Sequence, residues 1–454
     1  MKASTKPAQT TIRKASLFYF VFVMFSYTTG GPFGLEAMVS TSGPGMTLLY
    51  LLLIPLVWCI PVSLVSAELT TAMPVEGGFY RWSRAAFGDF WGFLAGWWNW
   101  SASFLLGGSY AVLFTDYLAG YYFPQINGWK HWLVSSIVIG LVTWLNVRGI
   151  QMVGKASTAF EMFIFIPVIA MVVLGLAKWR QNPFVPLVPP NHPFRDVFGV
   201  GLALGIWLYS GYEQLSTVAE EVENPARTYP RALAVVVPLS MATFFLPTLA
   251  ALASTGKWHD WKDGYFSTAA LFIGGPWLAN LMTIAGMVST VALLNSTVLT
   301  TTRMPFALAE DGYLPPFLTH RHPRYGTPWI AIVISAGIYA SLALHTLGDL
   351  ISVYVWLRAA TTVMTVLSAW GLRRKRPDLP RPFRVPWGNS GLIYVVVPPL
   401  LLTCITLRYS GSTSLHWGPF ALASGPVVYV VVKWFAKRAA EKERRSIGSR
   451  EPDD

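Results

Sequence analysis

The sequence predicts an all-α, polytopic membrane protein with about twelve transmembrane helices, two of them interrupted near mid-depth. Apolar runs of roughly 18 to 25 residues recur from end to end, each long enough to cross the ~30 Å hydrocarbon core of a bilayer. Charge is scarce: 12% of the 454 residues are Asp, Glu, Lys or Arg and 53% are hydrophobic, where an ordinary soluble domain carries about 25% charged residues. Two of the apolar runs, near residues 30 and 211, are cut by glycine or proline in the middle, where an unbroken span needs neither.

On hydropathy the spans lie near residues 16–40, 46–72, 90–123, 130–147, 156–177, 196–221, 232–254, 271–302, 328–345, 349–370, 390–409 and 414–435. The first contains FYFVFVMFSYTTGGPFGLEAMVS, from Phe18 to Ser40. Gly30 and Gly31 favour unwinding and Pro32 lacks the N–H that would continue the ladder, so two half-helices are expected, with Pro32 opening the second. Lipid offers the freed backbone groups no partner, and such a break is tolerated only where protein or a wet cavity receives them. A helix restarting there turns unpaired N–H donors toward an anion, while the half that stops turns carbonyls toward a cation. Glu36 lies one turn on, at a depth where ionisable groups are costly. The alternative for this stretch is a proline-kinked packing helix.

Span six, FGVGLALGIWLYSGYEQLSTVAEEV, is cut by Ser210-Gly211, with Tyr212 and Glu213 directly after. It follows the first span by five and enters from the opposite side. Residues 16–177 and 196–370 are therefore expected to form two inverted repeats of five spans, with two peripheral spans over 390–435.

The charges give an orientation. Only Lys130, Lys178, Arg180, Arg195, Lys257, Lys262 and Arg408 fall on one side and Arg358 alone inside a span; the rest of the 34 Lys and Arg fall on the other side. That second side is cytoplasmic by the positive-inside rule, and both termini lie there. Residues 1–15 form a polar, basic segment with no small-residue cleavage site after the apolar run that follows, and residues 436–454 a basic tail. The loop RRKRPDLPRPFR, Arg373 to Arg384, marks topology and suits anionic lipid. The net charge of +12 does not indicate nucleic-acid binding, because no soluble module accompanies it. Cys59 and Cys404 both lie within spans, which suggests neither a disulfide frame nor a metal cluster. The seven histidines show no metal spacing, and no nucleophile with its base and no phosphate-cradling loop is recognisable, so no metal, cofactor or enzymatic activity is expected.

Several stretches resemble, in the right order, the amino acid–polyamine–organocation transporters: GGPFGLE in span one, AELTTAMPVEGGFYRW with AFGDFWGFLAGW after span two, GYEQLSTVAEEVENPARTYPRAL through span six, and TTRMPFALAEDGYLPP with RYGTP after span eight. The resemblance covers about residues 16 to 435, and GGPFG followed by Glu, the FWGF turn and STVAEEVENP are most similar to the polyamine-uptake branch. It implies ten core spans in two inverted repeats, two peripheral spans and alternating access driven by an ion gradient. The chain departs from that branch where Ala37 follows Glu36 and where span three, AGWWNWSASFLLGGSYAVLF, has no acid before Asp116. A polyamine needs several anionic or carbonyl partners, so this departure weighs toward an amino acid.

Each candidate site residue has a structural alternative. The backbone at Thr29, Gly30 and Gly31 suits a substrate carboxylate, and the carbonyl ends around Tyr27, Tyr209 and Ser210 an ammonium. Glu213, just past Gly211 and at the family's Gly-x-Glu position, is a candidate for proton exchange or for pairing with a cationic substrate, or else a structural carboxylate. Glu36 has the same options. Glu161 occupies the region of span five where several relatives carry a lysine in place of a sodium ion; a carboxyl there suits a proton or a cation. Ser289, Asn295, Ser296, Thr297 and Thr300 supply hydroxyls and an amide in span eight, for the site, for a cation or for helix packing. Gly107-Gly108 admits a close approach by substrate or helix. Trp207 and Tyr209 are placed for an aromatic lid, as the resemblance implies for the tryptophan. Glu68, Arg84, Glu220, Glu221, Glu223, Arg227 and Arg303 gather at predicted cytoplasmic span ends as an inner gate or as solvated end charges.

The expectation is a carrier in the plasma membrane importing an amino acid or small organic amine, with a transmembrane proton gradient favoured over sodium. Polyamine uptake and amino-acid exchange are the alternatives within that class. A membrane-embedded enzyme and a nutrient sensor are the alternatives outside it. The partners expected are the small-molecule substrate and membrane lipid, and the carrier is expected to be a monomer.

Overall fold

Helix order follows from the apolar runs. The computed structural model of the chain describes residues 16–75, 77–148, 150–190, 194–409 and 412–448. The expected N-terminal segment 1–15, the tail beyond 448 and the side chains of Glu220 and Glu221 lie outside what is described. Span one is two helices, α1 (Leu17–Thr28) and α2 (Glu36–Ser42). Span two is α3 (Pro44–Ile54) and α4 (Ile60–Ala72), joined through a wider π turn at Pro55–Cys59 where proline interrupts the ladder. An amphipathic connecting helix, α5 (Phe79–Phe87), buries Phe79, Tyr80 and Trp82 and leads into the long α6 (Asp89–Tyr121), span three. Spans four and five are α7 (Trp129–Val147) and α8 (Ile150–Ala177).

The second half of the chain repeats the pattern with α9 (Phe194–Leu208), a break, and α10 (Pro225–Thr255), which opens on proline and carries Pro230, Pro238 and Pro247 inside it. Then come α11 (Tyr265–Gly274), α12 (Pro276–Thr301), α13 (Arg303–Glu310), α14 (Trp329–Leu342), α15 (Leu347–Lys375), α16 (Gly388–Tyr409) and α17 (Ser412–Gly448). Among the described residues eight helices are long and apolar enough to cross a membrane, and α1, α9, α11 and α14 are shorter apolar helices. The chain is an all-α, multi-pass membrane protein.

Three helices form the centre: α6 packs against α12, α15, α5, α14 and α7, α12 also against α8, α11, α7 and α1, and α15 also against α17, α5 and α16. Outward faces stay apolar at helical spacing: Met162, Ile166, Ile169 and Val173 on α8, and Ile393, Val397, Leu401 and Ile405 on α16 are exposed. In water such stripes would be a liability, and facing lipid they lose nothing.

Four boundaries differ from the sequence reading. Pro32 does not open the second half of span one: Gly34, at φ +90°, holds the chain out of helix, and α2 starts at Glu36. The continuation of span six is a 3₁₀ turn over Gln214–Glu221 rather than an α half-helix, and the Thr217 hydroxyl donates to the Gln214 carbonyl three residues back, 2.7 Å away. Span eight does not begin at 271, because Gly275 (φ +82°) and Pro276 end α11 and start α12 afresh. Helix α17 runs on to Gly448, well past residue 435.

Candidate functional site

The two breaks interlock. A Cβ built on Gly211 (φ +111°) would lie 2.8 Å from Tyr27 Cε1, and one on Gly34 would lie 2.7 Å from Trp207 Cη2. Each break thus contributes a glycine that accepts an aromatic ring from the other, and a side chain at either position would separate them. Trp58 of the π turn donates from Nε1 to Ser210 Oγ at 3.2 Å, and the Thr29 and Ser240 hydroxyls bond each other, tying α1 to α10.

Between the breaks lies a cavity with about 400 Å³ of space between atoms, its open side included. Tyr27, Thr28, Thr29 and Phe33 line it from span one, Trp207, Leu208, Ser210 and Gly211 from span six, and Leu106, Tyr110, Phe244, Leu293 and Tyr354 from α6, α10, α12 and α15. No charged side chain is among these lining residues. The backbone supplies polarity instead. Thr29 and Gly30 N–H both donate to the Phe25 carbonyl, at 2.9 and 3.3 Å, so the carbonyls of Tyr27 and Thr28 lie beyond the last backbone bond of α1. Such chain ends attract cations.

Of the residues expected at a substrate site, Tyr27, Thr29, Trp207, Ser210 and Gly211 line this cavity and the others do not. The amides of Thr29 and Gly30 are already bonded back to Phe25, which removes two of the three expected anion donors, and Gly30 and Gly31 face Leu293 and Phe33. Glu36, the first residue of α2, accepts from the Gly34 N–H of the break at 2.7 Å and from the Tyr117 hydroxyl, so both its oxygens are engaged within the protein and away from the cavity. Gly107 serves close packing: a Cβ there would lie 2.5 Å from the Tyr339 ring of α14. The Tyr209 hydroxyl reaches away to the Leu51 carbonyl, 2.7 Å, and Thr297 accepts from Thr301 of its own helix through its carbonyl, 2.6 Å. Glu213 is not an open carboxylate beside the cavity. Arg358 of α15 donates to it from Nη2, and both groups are buried.

Glu161 and Ser289 are not among the residues that line the cavity. Glu161 is fully buried, faces the Ser26 hydroxyl, and neither of its oxygens closes an ordinary hydrogen bond among the described residues. Ser289 Oγ is likewise unbonded, and a Cβ on Gly30 would lie 3.0 Å from it. Ser26 also faces Ser296 Oγ at 3.5 Å, which places hydroxyls of α1 and α12 around the α8 carboxyl.

The expected single gate cluster is two clusters. Buried Glu68 does not pair with Arg84; it accepts from Arg373 Nε (2.8 Å), the Val385 N–H (2.8 Å) and an ion pair with Arg381 (3.3 Å). Arg84 pairs with Asp89 (2.6 Å) and, beside Arg81 (2.6 Å) and Tyr80, with Asp311 (3.0 Å). The Arg84 guanidinium holds the Asp89 carboxyl below the usual carboxylate range. Arg303 is set differently again, donating from Nη1 to the Leu299 carbonyl of the preceding turn, 3.0 Å. The loop carboxyl of Asp263 is pushed up to about 7, first by burial and then by Asp116 nearby.

Sequence reasoning missed Tyr110 and Tyr354 as lining residues, and Arg358 as the partner of Glu213. Tyrosines in mid-span need a polar partner and were the available clue.

Residues 17–430 match the amino acid permease family. A probable polyamine transporter of Arabidopsis thaliana is 34% identical over 409 residues, covering 89% of this chain and 84% of that protein. A polyamine transporter of Oryza sativa subsp. japonica is 30% identical over 436 residues, covering 95% of this chain and 81% of that protein. The serine/threonine exchanger SteT of Bacillus subtilis (strain 168) is 27% identical over 417 residues, covering 87% and 91%. With two interrupted helices closed around a cavity and this match along nearly its whole length, the chain is a membrane transporter belonging to the amino acid permease family of the amino acid–polyamine–organocation superfamily.

Proposed function

We propose that the chain is a secondary active transporter that imports an amino acid or small organic amine across the plasma membrane by alternating access, with a proton as the coupling ion. The observation that carries this reading is the uncharged cavity between the two breaks, which has hydroxyls around it and the Tyr27 and Thr28 carbonyls at one end. An ammonium binds those carbonyls, and a carboxylate takes the remaining donors of the break and the tyrosine hydroxyls. Glu161 carries the proton: an ionised carboxylate without partners at this depth costs several kcal/mol, so it is sealed in with a proton and gives it up when its surroundings open to water. The basic end, with Arg373 to Arg384, faces the cytoplasm together with both termini, and the Glu68 and Asp311 clusters latch that end shut. The protein works as a monomer in lipid.

Polyamine uptake or amino-acid exchange is the second reading, favoured by what the relatives are named for. Reconstitution in liposomes with labelled serine, leucine, arginine and putrescine, with and without an imposed pH gradient, tests both. Accumulation of an amino acid that follows the inward proton gradient supports the first reading; counterflow without net accumulation supports exchange; absence of any uptake overturns the carrier assignment.

A further inference from the structure

Arg358 is the only Lys or Arg that the hydropathy assignment places in the middle of a span, away from its ends, and its guanidinium is committed to Glu213. The pair lies directly behind the cavity wall. Tyr354, one turn before Arg358 on α15, lines the cavity, as do Ser210 and Gly211 shortly before Glu213. Exposure is 3% for Arg358 and 1% for Glu213, so water does little to screen either charge.

We propose that Arg358 is a built-in counter-cation that cancels Glu213 and thereby makes the site select zwitterionic, net-neutral amino acids over diamines and cationic amino acids. This rests on the carrier reading above. A diamine entering the cavity must shed the water around two ammonium groups, and repayment requires nearby negative charge. The lining offers none, and Glu213, two residues beyond the lining Gly211, already faces a guanidinium whose field opposes its own. A zwitterion brings both signs and does not need the site to supply a net charge. Arg358 need not touch the substrate; it acts through Glu213 as a positioning and specificity residue.

The test is competitive uptake of labelled serine and putrescine by the full chain in liposomes, read as the putrescine-to-serine ratio. The wild type is expected to take serine with little putrescine. Arg358→Gln frees the Glu213 charge and should raise the ratio about tenfold or more, the size of a modest change in binding free energy. Arg358→Lys should keep the ratio low. Since Arg358→Gln strands a buried charge and can fail to fold, Glu213→Gln with Arg358→Gln supplies a neutral counterpart, expected to keep the low ratio. A wild type that takes putrescine as readily as serine, an unchanged ratio in a folded Arg358→Gln, or a high ratio in the double variant would overturn the proposal while leaving the carrier reading intact. Failure of the wild type to take up any labelled compound would instead sink the carrier reading, and this inference with it.

Discussion

The edge of the Tyr27 ring lies against Gly211 so closely that a Cβ there would come within 2.8 Å of it. One contact therefore joins the two interrupted helices at the cavity, and the converse contact of Trp207 with Gly34 joins them a second time. Two such junctions set the spacing between the breaks and hence the width of the cavity.

Gly211→Ala should force a residue with a Cβ to φ +111° and push Tyr27 aside. Strain of this kind costs on the order of 1–3 kcal/mol. Uptake should fall at least severalfold, and the substrate-dependent rise in melting temperature should shrink. Gly140→Ala, in α7 with nothing within 4 Å, is the control and should leave uptake alone while stabilising by roughly 0.5–1 kcal/mol.

Glu161→Gln keeps the shape of the buried side chain and removes its exchangeable proton. Accumulation driven by a pH gradient should disappear, while counterflow between pools of unlabelled and labelled substrate persists. Unchanged pH-driven accumulation in this variant would assign the coupling to another group.

Glu68→Ala strands Arg373 and Arg381 and removes the acceptor of the Val385 amide. Breaking a buried charge cluster from one side costs about 3–5 kcal/mol. Thermal unfolding in detergent should show it as a large drop in melting temperature. Asp89→Ala removes an exposed pair, and its cost should stay within about 1 kcal/mol.

Asp263 adds a pH dependence of its own. Its carboxyl is pushed from an ordinary 3.8 to about 7 in the folded protein, first by burial and then by Asp116. Between those values the folded state holds a proton that the unfolded chain has released, so its contribution to stability falls as pH rises through this window and levels off above it. Asp263→Asn should flatten that part of a melting-temperature profile, and an unchanged profile would show that Asp263 does not titrate there.

The breaks were legible in the sequence because glycine and proline act locally. Thr28 to Pro32 and Ser210-Gly211 interrupt helices wherever the rest of the chain sends them. The same local reasoning named Tyr27, Thr29, Ser210 and Gly211, and the family resemblance Trp207, all of which line the cavity. It failed where a side chain's partner is distant in sequence. Glu213 looks open until Arg358 is brought across 145 positions, and Glu68 looks like a partner for Arg84 until Arg373 and Arg381 reach it from 305 and more positions away. It failed also at Glu36, whose carboxylate is taken up by the Gly34 amide and by Tyr117, a partner 81 positions away.

Helix α17 has 37 residues, about 55 Å at the usual rise, and the hydrocarbon it crosses is only about 30 Å thick. Its far end therefore stands clear of the bilayer as a stiff post rather than a loose tether. A fluorophore or a small rigid domain grafted onto it would keep a fixed height and bearing, a ready handle for following the rocking of single molecules by energy transfer or for aligning particle images.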